Sequence, residues 1–269
     1  MVTLSENPYE LGRFIYFSGK KIYGLYFEFP PLTSREHVFL YDLFKYFVDR
    51  DIPVLHFKMS RPVPKRNIKG IMFLDLTEKE DAIKDIEKKI GGKEYIKNMR
   101  VIYPLREGLV VDDEMFPPVL HGERVFILRE PGLRVYIKKL REELGSGYEA
   151  ILYRIGYSMG REYYDSHLKI VGDNLEDLKS FSEAMFRIVG LGILEYKRID
   201  IKKKYAEVII RKNLECSFFK KSDKPMGHFT RGLLSGWFSK LFNVDISSKE
   251  ILCISMGDPY CKFIFKEFL

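Results

Sequence analysis

Hydrophobic residues alternate between strand-like and helix-like spacing along the first hundred positions. Two apolar runs, Phe14-Ile-Tyr-Phe and Ile22-Tyr-Gly-Leu-Tyr-Phe-Glu-Phe, flank a Ser-Gly-Lys-Lys turn signal. Pro30-Pro31 stops the second run. Apolar residues then fall at 39, 40, 43, 44, 47 and 48, which is helical spacing, with Ser34 placed to cap the start. Strands are predicted over Ile52–Met59 and Gly70–Leu76. Thr77–Ile90 reads as a helix, because Thr77-x-x-Glu80 is a capping box and Gly91-Gly92 a stop. Met99–Tyr103 supplies a last strand. Residues 106–122 carry Glu-Gly, Asp-Asp-Glu and Pro117-Pro118, and read as a linker.

Strand, helix, strand, strand, helix, strand is the ferredoxin-like order. Residues 1–118 are therefore expected to form a ferredoxin-like (ACT-like) domain. Only the element order supports an ACT-type sensing module; no Gly-x-Leu loop follows the first strand. A module that merely packs or dimerises fits equally well.

The second half, residues 119–269, alternates differently. A short strand is predicted at Arg124–Leu128, and helices over Leu133–Leu144, Tyr148–Leu168, Leu175–Val189 and His228–Phe242. Asn174 is a natural cap for the third of these. A hairpin is predicted from Ile193–Ile199 and Tyr205–Ile210, with Lys202-Lys203-Lys204 at its solvated tip. Two helices carry Gly-x3-Gly pairs, Gly156/Gly160 and Gly232/Gly236. The fold class is α+β, with helices packed on an antiparallel sheet in each half.

Composition narrows the classes. The 269 residues are 46% hydrophobic, enough for two packed cores, and hold only three cysteines, too few for a disulfide scaffold. No apolar run reaches the length of a membrane span, and the start lacks a signal-peptide layout, so a cytoplasmic protein is expected. The net charge is +7, but cations are interspersed with 38 acids. A Lys/Glu-rich composition with 31% charged residues also suits a thermophile's surface, so nucleic acid is not the expected partner.

The chemistry gathers at the C-terminal end, in Glu250-x2-Cys253-x3-Gly257-Asp258-Pro259-x-Cys261. A hairpin centred on Gly257 sets Cys253 opposite Cys261, and cross-strand Cβ atoms lie only about 4.5–5.5 Å apart. That separation suits two sulfurs on one metal, and also a disulfide. Glu250 and Cys253 stand three apart, on opposite faces of a regular strand, so a shared metal needs an irregular strand there. Cys216 has no partner at ligand spacing and reads as a buried apolar thiol. His56, His121 and His167 stand alone and read as structural.

Taken with the helices Leu152-Tyr-Arg-Ile-Gly-Tyr-Ser-Met-Gly and Gly232-Leu-Leu-Ser-Gly-Trp-Phe-Ser, this motif resembles the 4-vinyl reductase domain family, over residues 119–269. That family includes a bacteriochlorophyll biosynthesis protein, sensor domains of phenol-responsive activators and archaeal hydrocarbon-binding proteins, and shares its fold with TRAPP small subunits. The resemblance implies an α/β domain, often dimeric, with a buried apolar pocket. It also implies zinc on Glu250, Cys253 and Cys261. The family's further cysteine has no match at the start of the glycine-bearing helix, where His228 stands, so the implied structural site is His228, Glu250, Cys253 and Cys261. Helices of this kind flank the ligand cavity, which makes Tyr153, Tyr157, Met159, Phe181, Met185, Phe186, Leu233, Trp237 and Phe238 pocket or core candidates.

The resulting expectation is a non-enzymatic sensor or carrier of a hydrophobic small molecule or lipid-like ligand, as a homodimer. The alternatives are an assembly subunit like the TRAPP relatives, or a thiol switch at Cys253 and Cys261. Reductase chemistry is not expected, because neither a dinucleotide motif nor a nucleophile–base pair can be placed.

Overall fold

The structure, a computed structural model, describes residues 9–31, 36–63 and 65–268, with backbone only for residues 36–39. Ser34 lies outside the described residues. The chain divides into two compact units, Met1–Phe126 and Ile127–Leu269.

The first unit contains β1 (Phe14–Tyr16), β2 (Ile22–Phe29), α1 (Glu36–Val48), β3 (Val54–Met59), β4 (Ile68–Asp75), α2 (Ala82–Gly91), β5 (Asn98–Ile102), β6 (Leu109–Val111), β7 (Val119–Leu120) and β8 (Glu123–Arg124). Its main sheet has the order β3-β4-β2-β5 with every pair antiparallel. β4 is thus inserted between β2 and β3, which flank α1 in the chain, a split β-α-β plan. Alternate residues of β2 and β4 point to opposite faces. Tyr23, Leu25, Phe27, Phe29, Met72 and Leu74 join Leu43, Phe47, Ile83 and Ile86 of the helices in one core. Ile22, Tyr26, Ile71 and Phe73 join Ile102 and Val110 in a second. Burial on both faces explains why β2 reads as an almost continuous apolar run.

Three sequence expectations change here. β1 pairs with β6, not with the adjacent β2. The supposed linker therefore contains a strand, and Val110 is fully buried. Asp112 is buried too, its Oδ2 2.9 Å from Arg13 Nε and its Oδ1 accepting from the backbone of Glu114 and Met115. Finally, α2 starts at Ala82, because the Thr77/Glu80 box does not close. The Thr77 hydroxyl donates to Asp75 and accepts from the Lys21 backbone, while Glu80 is taken by Lys21 and by the Tyr23 hydroxyl at 2.7 Å.

The second unit contains α3 (Glu130–Arg134), a π-helical turn at Val135–Lys139, α4 (Leu140–Leu144), α5 (Ser146–Val171), α6 (Leu175–Ile188), β9 (Ile193–Asp200), β10 (Tyr205–Arg211), α7 (Leu214–Ser217), α8 (His228–Phe242), β11 (Ile246–Leu252) and β12 (Cys261–Glu267). The strand predicted at Arg124–Leu128 is limited to the two residues of β8. Asn174 caps α6 as expected, accepting from the backbone of Glu176 and Asp177. Lys202 and Lys203 sit exposed on the β9–β10 turn.

The sheet of this unit has the order β11-β12-β10-β9, again antiparallel throughout. α8 lies on it, with Trp237, Phe238 and Phe242 packed in one core with Ala206, Val208, Phe263 and Phe265. α5 lies against α8 at backbone contact distance. A Cβ on Gly160 would fall 1.9 Å from the Leu233 carbonyl oxygen, and one on Gly232 2.1 Å from that of Tyr153. Gly156 and Gly236 meet the carbonyls of Phe229 and Tyr157 in the same way. The two Gly-x3-Gly pairs face each other and let the helices interlock.

Candidate metal centre

The site is built at the base of the β11–β12 hairpin. Glu250 pairs with Phe263 but Leu252 pairs with Lys262, so the register shifts by one residue at Ile251. This bulge is the irregularity that the Glu-x2-Cys spacing demands. Ile251 is 40% exposed, while Glu250 and Cys253 both end up buried. Continuing the shifted register sets Cys253 against Cys261, with the sulfurs 4.0 Å apart and both thiols free. Between them, a 3-10 turn at Ile254–Met256 ends on Gly257, whose φ of 104° requires glycine. Asp258 fixes the turn by accepting from the Cys253 backbone at 2.7 Å.

Cys216 completes the cluster. It stands on α7, a short helix capped by Asn213, whose Oδ1 accepts from the Glu215 backbone at 3.1 Å. Its sulfur lies 3.7 Å from Glu250 Oε1. One donor atom from each of Cys216, Glu250, Cys253 and Cys261 lies within 4.8 Å of all the others, and all four residues are buried. Around tetrahedral zinc with bonds to sulfur of about 2.3 Å, ligand-to-ligand edges are about 3.8 Å. The separations found here match that edge closely.

The electrostatics of the cluster favour a cation. Burial raises the Glu250 carboxyl to about 8, and the neighbouring Cys253 adds to the rise. Hydrogen bonding with Cys253 and Cys261 pushes the Cys216 thiol up, while hydrogen bonds from Cys216 and Cys261 pull Cys253 down. The groups thus divide their protons unequally, because anions this close repel one another. A divalent ion reverses that preference by neutralising them together.

The surroundings orient the donors. Glu250 Oε2 accepts from the Gly227 backbone at 2.8 Å, an approach that a Cβ at residue 227 would obstruct. Glu215, adjacent to Cys216, accepts from the backbone of Phe229 and of Thr230, each at 2.8 Å. Its carboxyl is raised by burial to about 7. Two buried carboxylates therefore hold the first N–H groups of α8, where the helix dipole favours negative charge.

His228 does not face the cluster. Its Nε2 lies 2.9 Å from the Arg141 guanidinium and 3.7 Å from Glu149. Burial, and then the Arg141 charge, lower its pKa to about 4. Arg141 is itself buried, donates to Glu149 at 2.6 Å and to the Met226 carbonyl at 3.2 Å, and so ties α4 to α5 and to the approach to α8. The fourth donor brought to the metal cluster is Cys216 rather than His228. Spacing hides it, since Cys216 precedes Glu250 by 34 residues. The available signal is that an Asn-capped helix turn carries the chain's one remaining cysteine.

The pocket candidates separate into two groups. Phe186, Leu233, Trp237 and Phe238 are core residues, with Met159 packed against them. Tyr153, Tyr157, Phe181 and Met185 are half-buried. Tyr153 stacks on Tyr157 and lies under the Arg231 guanidinium, and Phe181 meets His167 edge-on.

Among the described residues, no helix is long and apolar enough to cross a membrane. Residues 206–267, which include all four donors, match the family model of the 4-vinyl reductase domain. Two uncharacterized proteins of Methanocaldococcus jannaschii are similar in sequence. MJ0150 is 32% identical over 122 residues, covering 45% of this chain and 66% of that protein. MJ0855 is 27% identical over 118 residues, covering 42% of this chain and 45% of that protein. The match thus spans under two thirds of the length of these relatives. Three solved structures are similar in fold. The phenol-responsive sensory domain of the transcription activator PoxR with phenol has 21% identity and a TM-score of 0.47, over 54% of this chain and 78% of that one. A vinyl-4-reductase family protein from Methanocaldococcus jannaschii has 22% identity and a TM-score of 0.39, over 54% and 85%. A trafficking protein particle complex subunit 3 from Naegleria fowleri, covalently bound to palmitic acid, has 13% identity and a TM-score of 0.40, over 52% and 95%. The resemblance read from the glycine-bearing helices and the terminal cysteine motif thus has its counterpart in these matches, and the second unit of this chain carries a 4-vinyl reductase domain.

Proposed function

We propose that the second unit is a non-enzymatic binding domain for a hydrophobic small molecule, stapled by one structural zinc ion on Cys216, Glu250, Cys253 and Cys261. The observation that carries the metal assignment is the convergence of three thiols and a carboxylate, all buried, at tetrahedral spacing. Four protein donors leave no open position, so the ion fastens the terminal hairpin and α7 to the start of α8 and does no chemistry. The ligand assignment rests on the family match and on Tyr153, Tyr157, Phe181 and Met185, which offer a soft half-buried lining beside the filled core. The unit acts as a dimer in this reading, and the whole protein is regulatory and cytoplasmic.

Native and denaturing mass spectrometry of tag-free protein tests this directly. The expected native mass carries one zinc per chain. Cys216→Ser and Cys253→Ser lose it, and His228→Ala keeps it. Loss in His228→Ala with retention in Cys216→Ser would restore the ligand set read from sequence. A denatured mass lighter by two hydrogens would replace the metal with a Cys253–Cys261 disulfide. An organic adduct released on denaturation identifies the ligand class, whereas turnover of a nicotinamide cofactor would make the domain a reductase.

A further inference from the structure

The sequence between Asp51 and Asp75 carries Lys58, Arg61, Lys65, Arg66 and Lys69 and no carboxylate. The fold gathers these residues onto one hairpin. β3 and β4 pair as far as Met59 and Gly70, and Ser60 extends the ladder by donating to the Lys69 carbonyl at 2.8 Å. The Ser60 hydroxyl accepts from the Lys69 backbone at 3.0 Å. At the tip beyond this pair, Arg61, Lys65, Arg66 and Asn67 are all exposed. Lys58 is exposed on the edge strand below.

Elsewhere in this unit cations are matched to acids. Arg13 pairs with Asp112, Lys20 with Asp75, Lys45 with Asp49, Lys89 with Asp85 and Arg100 with Glu114. Among the described residues, none of the five hairpin cations makes an ion pair. The carboxylate of Glu28, beside Asn67 at 3.3 Å, is already hydrogen-bonded by the Tyr26 hydroxyl. Uncompensated like charges on one short hairpin repel each other, a cost that a polyanionic partner removes.

We propose that the β3–β4 hairpin is a binding surface for the phosphate backbone of a double-stranded nucleic acid. A two-stranded ribbon is narrow enough to enter the major groove, and phosphates fit exposed Arg and Lys without sequence demands. Pro62 stiffens the tip approach and removes a backbone donor there. This inference concerns the first unit and is independent of the metal and ligand reading of the second.

Fluorescence anisotropy of the full chain with a labelled duplex DNA, across a salt series, tests it. Each released phosphate contact contributes about 0.9 to the log–log salt slope, so Arg61→Gln/Lys65→Gln/Arg66→Gln is expected to flatten it by about 2–3 and weaken binding at least tenfold. Lys202→Gln/Lys203→Gln/Lys204→Gln removes equal charge at the other hairpin tip and is expected to leave binding unchanged. Thermal melting verifies that both variants stay folded. No duplex binding at low salt, or an equal loss in both variants, overturns the proposal. So does binding to phosphatidylserine vesicles with none to the duplex.

Discussion

His167 shows how one buried residue sets a pH limit on this fold. It lies on α5 against Tyr163 and Phe181, and its Nδ1 accepts from Trp237 Nε1 at 3.4 Å. Burial lowers its pKa to about 4, against about 6.5 for an unfolded chain. Above pH of about 6.5 both states are neutral here, and the histidine imposes no penalty. As pH falls from there toward 4 the unfolded chain takes up the proton first, so stability falls. Below about 4 the folded state is protonated as well, and the loss is complete, on the order of 3 kcal/mol. We expect urea midpoints to fall across this window, and His167→Phe to flatten the fall. His228, lowered in the same direction, leaves a remainder. A variant whose acid slope equals that of the wild type would place the titration elsewhere. At this scale the sequence was readable where spacing carried the information. Glu250, Cys253 and Cys261 share a motif, whereas Cys216 depends on the loop between α7 and α8, which no local pattern encodes.

At the level of elements, the interlock of α5 and α8 makes the sharpest claim. A Cβ at Gly160 would meet backbone, at 1.9 Å from the Leu233 carbonyl oxygen, and backbone cannot rotate away as a side chain can. Gly160→Ala is therefore expected to force the helices apart and cost about 3 kcal/mol, in the range of overpacked cores. Gly147, near the start of the same helix, has no neighbour within 4 Å of its Cβ position. Gly147→Ala should stabilise the protein by about 0.5 kcal/mol through lost chain entropy alone. Chemical denaturation of the two variants measures this difference, and equal effects would mean that the glycines are not a packing device. Helix α8 was legible end to end because glycine spacing and a clean apolar face coincide in it. β6 was not, because three apolar residues among acids and glycines look like linker until their partner β1, far away in sequence, is known. The start of α2 was misread for a related reason: Lys21 and Tyr23, on a strand and just before it, take the Glu80 carboxylate that the capping box needs.

Across the whole molecule, the two units hold separate cores, and the metal donors all belong to the second. The donors come from α7, β11, the turn after it and β12, and Glu250 also holds the start of α8. Removing the ion leaves buried acids that must take up protons, and frees α7 from the hairpin. At a zinc concentration about a thousandfold above Kd, occupancy is worth about 4 kcal/mol to the folded state. For a unit of this size that corresponds to a melting shift on the order of 10 °C. Chelation should therefore lower one thermal transition and spare the other. Hydrogen exchange locates the effect without assuming how the units are arranged. Amides of β12 and the first turn of α8 should lose protection in chelator, while those of β2 and β4 keep theirs. Equal loss in both units would mean that the metal stabilises the whole chain. Unchanged protection at β12 would mean that the four donors hold the hairpin through their own hydrogen bonds, and that the ion adds nothing to the fold.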